Sequence, residues 1–129
     1  MPEVLDVPDI LDIGPFRAHI EAALAYGGGT HTVADVEDAI TRGDAQLWPA
    51  PHSCIVTELD RQPRQSILVF WLAAGVSAEL EAMVPLICEW GKSEGCTKAR
   101  FVGRKGWARA FPAKTGWVNT GFVYMEKEI

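Results

Sequence analysis

An α/β domain is what this sequence predicts, with a mixed, mainly antiparallel sheet carrying helices on both faces. Three observations lead there. Ser66 to Ala73 is apolar on both strand faces, the pattern of a central strand covered from both sides. The alternating segment Cys54 to Leu59 precedes it across the polar loop Asp60 to Gln65, as expected of antiparallel neighbours in a hairpin. Ala78 to about Glu94 then repeats apolar residues at three and four positions, and a further strand pattern, Thr97 to Val102, follows that helix.

The elements follow in chain order. Residues 1–14 form an acidic, aliphatic N-terminal arm with no clean period, and residues 15–129 are expected to form one domain, since 129 residues suffice for a single core. Pro15 suits the first turn of a helix reaching about Ala25, with Phe16, Ile20 and Leu24 on one face and Gly27 to Gly29 stopping it. Thr32 is the N-cap of a second helix with Asp35 in its first turn, Val33, Val36, Ala39 and Ile40 inward, and Gly43 at its end. Ala45 to Trp48 is the first strand, and Cys54 to Leu59 and Ser66 to Ala73 are the next two. Ser77 is expected to cap the long helix, Pro85 to kink it, and Gly95 to end it in a left-handed cap. After Thr97 to Val102 come a short helix, Lys105 to Phe111, and a closing strand, Trp117 to Met125, interrupted near Gly121.

Charge is unevenly placed. Nine acids stand against Arg17 and Arg42 between Met1 and Asp44, whereas seven bases stand against Glu94 alone between Lys92 and Lys114. The basic part can bind an anion or simply complement the acidic part. A net charge of −5 without a basic and aromatic stacking motif argues against nucleic acid as a partner. Three cysteines, Cys54, Cys88 and Cys96, have no disulfide or ligand spacing and point to a reducing cytosol. The apolar run from Ser66 to Val76 is too short to span a membrane, and the acidic N-terminus does not read as a secretory leader. His19, His31 and His52 have no metal-ligand spacing, so no metal is expected. Of the five tryptophans, four read as core, while Trp48, before Pro49-Ala-Pro51, reads as the wall of a surface cleft.

Two helices, three antiparallel strands, a long helix, a strand, a short helix and a final strand resemble the layout of the GNAT superfamily of acyl-CoA N-acyltransferases, over about Pro15 to Tyr124. In detail, Gly43-Asp-Ala-Gln-Leu-Trp48, Thr57-Glu58, Glu89-Trp-Gly91, Gly95-Cys96, Gly103-Arg-Lys-Gly-Trp-Ala-Arg109 and Gly116-Trp117 resemble a group of small GNAT-like proteins encoded by tailed bacteriophages, some relatives of which are internal virion proteins.

The resemblance implies two functional readings. In one, the chain is a non-catalytic or degenerate GNAT-like phage protein acting as a virion or host-interaction component, in the cytoplasm of the bacterial host or incorporated in the virion. In the alternative it is an acetyl-CoA-dependent N-acetyltransferase acting on an amine, held near Trp48 and Glu58. The GNAT logic assigns the cofactor to the strand-to-helix turn Leu72, Ala73, Ala74, Gly75, Val76 and Ser77, where small residues let backbone approach a pyrophosphate. The family's leading Arg or Gln and its second Gly are missing from this turn. Arg104 and Trp107, at the start of the short helix, are the further cofactor-binding candidates, with Lys105 and Arg109 adding positive charge.

For catalysis, Glu58 is the candidate base, or else an exposed or paired strand carboxylate. It shares a strand face with Cys54 and Val56, where an apolar setting raises a carboxyl pKa. Trp107 occupies the position where the family usually keeps an acid, and Tyr124, on the last strand, is the remaining candidate to protonate a departing thiolate.

Overall fold

A computed structural model describes residues 13–27, 29–103, 107, 111 and 115–129. Most of the acidic arm, and most of the short helix with Arg104, Lys105 and Arg109, therefore lie outside the described residues. Gly14–Phe16 forms one 3₁₀ turn with Pro15 in it and leads into α1, Arg17–Leu24, which buries Ile20 and Leu24. α2, Val33–Arg42, opens on a capping box. The Asp35 amide donates to Thr32 Oγ1 at 3.3 Å and the Thr32 amide donates to Asp35 Oδ2 at 2.8 Å. That second bond holds the Asp35 carboxyl below its usual pKa. Gly43, at φ 82°, ends α2 in the left-handed conformation that only glycine adopts freely.

The sheet has the order β1-β2-β3-β4, with β1 Ala45–Pro49, β2 Cys54–Arg61, β3 Ser66–Ala74 and β4 Cys96–Phe101. β1 and β2 are antiparallel, as are β2 and β3, while β4 runs parallel to β3 through the crossover helix α3, Ser77–Ser93. Helices cover both faces. On one, α1 and α2 pack Ile20, Val36 and Ile40 against Leu47, Cys54, Val56 and Leu72. On the other, α3 packs Leu80, Met83, Val84 and Ile87 against Trp48, Ile55, Leu68 and Phe70. α3 continues unbroken through Pro85.

Three expectations are corrected. Trp48 lines no surface cleft. It is 1% exposed on the α3 side, with its ring 5.1 Å from Trp90 and its Nε1 donating to Thr57 Oγ1 at 2.9 Å. Thr57 in turn donates to Gln46 Oε1 at 2.8 Å, so the indole N–H and both polar neighbours are satisfied inside the core. Ser77 does not cap α3. The N-cap is Val76, which has no capping side chain of its own, and Ser53 from the β1–β2 loop accepts its amide instead.

The closing strand Trp117 to Met125 does not form, and residues 117–129 pair with no strand among the described residues. Gly121 at φ 81° breaks the extended run, and Gly116 at φ 93° precedes it. Asn119 Oδ1 accepts the Gly121 amide and Thr120 Oγ1 the Phe122 amide, so local side-chain bonds take donors a ladder would use. Trp117 alone stays with the body, packed on Phe70, Phe101 and Phe111.

Candidate functional site

Two features of β3 define the site. Parallel pairing with β4 ends at Phe70↔Phe101, yet β3 runs on to Ala74 and keeps its β2 partners, Leu72↔Val56, Ala73↔Ile55 and Ala74↔Cys54. From Trp71 to Ala74 the opposite edge of the strand therefore carries no ladder partner among the described residues, and its peptide groups are left to bond something else. On the β2 side the register steps from Thr57↔Phe70 to Val56↔Leu72, which leaves Trp71 as the extra residue of a β-bulge. A bulge re-aims side chains. Here it puts Trp71 and Leu72 on the α1/α2 face together, while Phe70 and Ala73 face α3.

Beyond the open edge the chain turns at Gly75, φ 128°. A Cβ there would lie 2.5 Å from the His52 carbonyl oxygen and would also strike Ser53 Oγ, so the turn tolerates only glycine. The Val76 amide donates to Ser53 Oγ at 2.8 Å, and Ser53 Oγ donates to Glu79 Oε1 at 2.6 Å. The His52 amide donates to the same carboxylate oxygen at 3.0 Å. These bonds fix the β1–β2 loop to the start of α3. The amides of Ser77, Ala78 and Glu79 have no carbonyl one turn back to accept them, and Ser77 and Ala78 are exposed. The turn thus offers free donors at the positive end of the helix dipole. It also carries a carboxylate, Glu79, in the same first turn.

On the α1/α2 face, a cleft of about 490 Å³ opens between α2 and the sheet. Asp35, Asp38 and Asp44 line it with Glu58 and Trp71, and Arg42 and His31 complete the charged wall. Arg42 Nε is held by Asp44 Oδ2 at 3.0 Å, and the His31 ring meets the Trp71 ring edge-on at 4.9 Å. Four carboxylates face two basic groups, which makes the cleft a cation-accepting one at neutral pH. Glu58 lies where the strand alternation placed it, sharing a face with Cys54 and Val56. Burial pushes its pKa up, and Asp60 and Asp44 add to the shift while His31 opposes it.

The sequence-predicted residues are dispersed. Glu58 lines the acidic cleft, and Leu72 to Ser77 form the open edge and the turn. Tyr124 is 73% exposed on the C-terminal segment and is not part of the cleft wall. Its hydroxyl donates to Glu126, which raises its pKa. Trp107 packs on Phe111 at 5.9 Å, and the Phe111 amide donates to the Trp107 carbonyl at 3.0 Å, one helical turn apart. Arg104 lies outside the described residues.

Trp71, Asp38, Asp44, Ser53 and Glu79 were not singled out from sequence. A bulge in an all-apolar run leaves no pattern, although the four acids Asp35, Glu37, Asp38 and Asp44 were countable as a charge cluster. Among the described residues, no group of His, Cys, Asp or Glu is placed to hold a metal ion, and no helix is long and apolar enough to cross a membrane.

No family model matches the chain, and no curated protein matches it in sequence. Solved structures match it in fold. A probable acetyltransferase aligns with a TM-score of 0.67 at 8% identity, covering 86% of this chain and 87% of the other. An aminoglycoside acetyltransferase from an uncultured soil metagenomic sample, solved with sisomicin, also gives 0.67, at 9% identity over 92% of this chain and 90% of its own. An acetyltransferase of Trypanosoma brucei gives 0.59 at 13% identity over 88% and 92%. At such identities the likeness is one of architecture, and the architecture is GNAT-like.

Proposed function

We propose that this chain is an acyl-CoA-dependent N-acyltransferase whose acceptor is a cationic amine. The observation that carries the reading is the position of Trp71. The bulge residue is at once the first residue of the unpaired β3 edge and part of the acidic cleft wall. A strand edge fit for an extended thioester arm and a pocket fit for an ammonium group thus meet at one residue.

The residues of the turn fit the cofactor. The glycine-only turn brings backbone close, the first-turn amides of α3 can hold a pyrophosphate, and Trp71 to Ala74 can hydrogen-bond an amide-bearing arm. Acetyl-CoA, where bound, supplies an activated thioester carbonyl. Arg104 and Trp107 are proposed to add cofactor contacts. Asp35, Asp38 and Asp44 draw the ammonium in, and Trp71 offers it an aromatic wall. Glu58 takes the ammonium proton, directly or through one water, and its raised pKa brings a carboxylate nearer to the basicity the step needs. The aminoglycoside complexed in one structural neighbour is itself a polyamine.

The test is acetyl transfer to a panel of polyamines and aminoglycosides, followed by thiol release. Ala78→Glu is the control, because it adds a carboxylate beside the free amides on an exposed position. Turnover that falls in Ala78→Glu and in Glu58→Gln supports the proposal. Absence of turnover, with no acetyl-CoA shift of the melting temperature, overturns it. A second reading then takes its place, the degenerate GNAT-like phage protein that binds a virion or host partner. The exposed position of Tyr124 and the carboxylate of Glu79 at the turn favour that reading.

A further inference from the structure

The C-terminal segment is unlike the rest of the surface. Val118, Phe122, Val123, Tyr124, Met125 and Ile129 are each at least 73% exposed within twelve residues. The body of the domain keeps only isolated exposed apolar side chains, such as Tyr26 and Val102. A concentrated apolar segment of that kind marks a surface that becomes covered.

The same chain carries a matching vacancy. β4 pairs with β3 on one side only, and no described strand lies along its outer edge. Open edges recruit strands. Within one chain the segment starts beside this edge, since Trp117 packs on Phe101 at the end of β4. After Trp117 the chain turns at Gly121, φ 81°, and residues 118–129 are exposed.

We propose that residues 123–128 of one copy form an antiparallel fifth strand on β4 of a second copy, and that the exchange is reciprocal. A two-fold dimer needs a self-complementary surface, and a donor segment with an acceptor edge on one chain meets that requirement.

Side-chain chemistry fixes the register. Ala99 and Phe101 of β4 pack on the α3 side, while Lys98 and Arg100 are exposed. Setting Lys98 opposite Glu126 puts Met125 opposite Ala99 and Val123 opposite Phe101, so apolar residues extend the α3-side core and opposite charges face each other on the other side. Arg100 is already held by Asp60 at 2.8 Å and receives Tyr124 in this register. The proposal is independent of the acyltransferase reading, because the outer edge of β4 is not the open edge of β3.

The test uses the full chain at several concentrations by sedimentation, with zero-length carbodiimide cross-linking of a mixture of ¹⁴N and ¹⁵N chains. The expected result is a species of twice the chain mass, and Lys98–Glu126 cross-linked peptides carrying one light and one heavy half. A double variant, Val123→Pro with Tyr124→Pro, should weaken the dimer by at least about tenfold, because amides of adjacent strand residues point to opposite edges and one of the two must face β4. Both sites are exposed, so the far-UV circular dichroism of the variant should be retained. A chain that stays monomeric at every concentration overturns the proposal, as do cross-links that are of single isotopic label only, with no mixed-label species, which would mean that the segment closes on its own β4.

Discussion

Ser53 ties the start of α3 to the β1–β2 loop, and its removal should be felt as one coupled unit with Glu79. In Ser53→Ala the Val76 amide loses its acceptor and Glu79 loses a hydroxyl donor at 2.6 Å. A bond to an ionised carboxylate contributes about 1.5–3 kcal/mol and a lost helix cap about 1 kcal/mol. Ser53 is fully buried, whereas the Val76 amide can recover a water because Val76 is exposed. The loss expected for Ser53→Ala is therefore about 2 kcal/mol. Glu79→Ala removes the acceptor for both Ser53 Oγ and the exposed His52 amide, and should cost about 1–2 kcal/mol. Since the Ser53–Glu79 bond is counted in both, the double variant should fall short of the sum by about 1 kcal/mol. Urea unfolding followed by tryptophan fluorescence measures all four corners of the cycle. Additivity to within about 0.3 kcal/mol would refute the reasoning, since it would mean that the two side chains do not share a bond in solution.

Other expectations concern titration and packing. Burial raises the Glu58 pKa, so its ionised form is penalised in the folded chain. The stability this group allows is full below the ordinary glutamate range and is lost as pH rises through its raised folded value. Glu58→Gln should accordingly stabilise the protein at neutral pH, with a gain that vanishes in acid, read from urea midpoints across pH. The Cys54 thiol is pushed up to about 11 by burial, so at pH 8 an alkylating reagent should label it only after unfolding, as peptide mapping will show. Gly91→Ala gains about 1 kcal/mol of helix propensity but sets a Cβ 2.9 Å from Leu68 Cδ2 in a fully packed core. Overpacking costs about 1–3 kcal/mol, so calorimetry should show a net loss of stability.

The fold was readable because each signal had a local cause. Thr32 with Asp35, and Gly43 at the far end of α2, fixed that helix without reference to the rest of the chain. Ile67 to Ala73, apolar throughout, reads as a strand covered on both sides, and the two cores agree with it. The failures came where local and distant effects compete. The alternation of Trp117 to Met125 reads as a strand, yet Asn119 and Thr120 divert two amides and no neighbour outbids them within the described chain. Trp48 beside two prolines reads as surface, but its indole N–H finds Thr57 nine residues away, a partner that only the β1–β2 register reveals. Within the site, Glu58 was legible from alternation alone. Trp71 was not, because a bulge is set by how two strands settle against each other and leaves no trace in a run that is apolar at every position.

The charge asymmetry of the sequence acquires a spatial meaning in the fold. Asp35, Asp38 and Asp44 come from the acidic N-terminal part and gather on α2 and its exit, beside Glu58. Lys98 and Arg100, from the basic part, stand on β4, the strand that separates from β3 at Phe70. Under the proposed reaction the two substrates carry opposite charge, a polyanionic thioester carrier and a cationic amine. A net charge of −5 summed over the whole chain conceals this division, because the acids gather at α2 and Glu58 whereas Lys98 and Arg100 stand on the β4 edge of the sheet. The unpaired edge of β3, with Trp71 at its start, is the place where the two territories come within reach of one another.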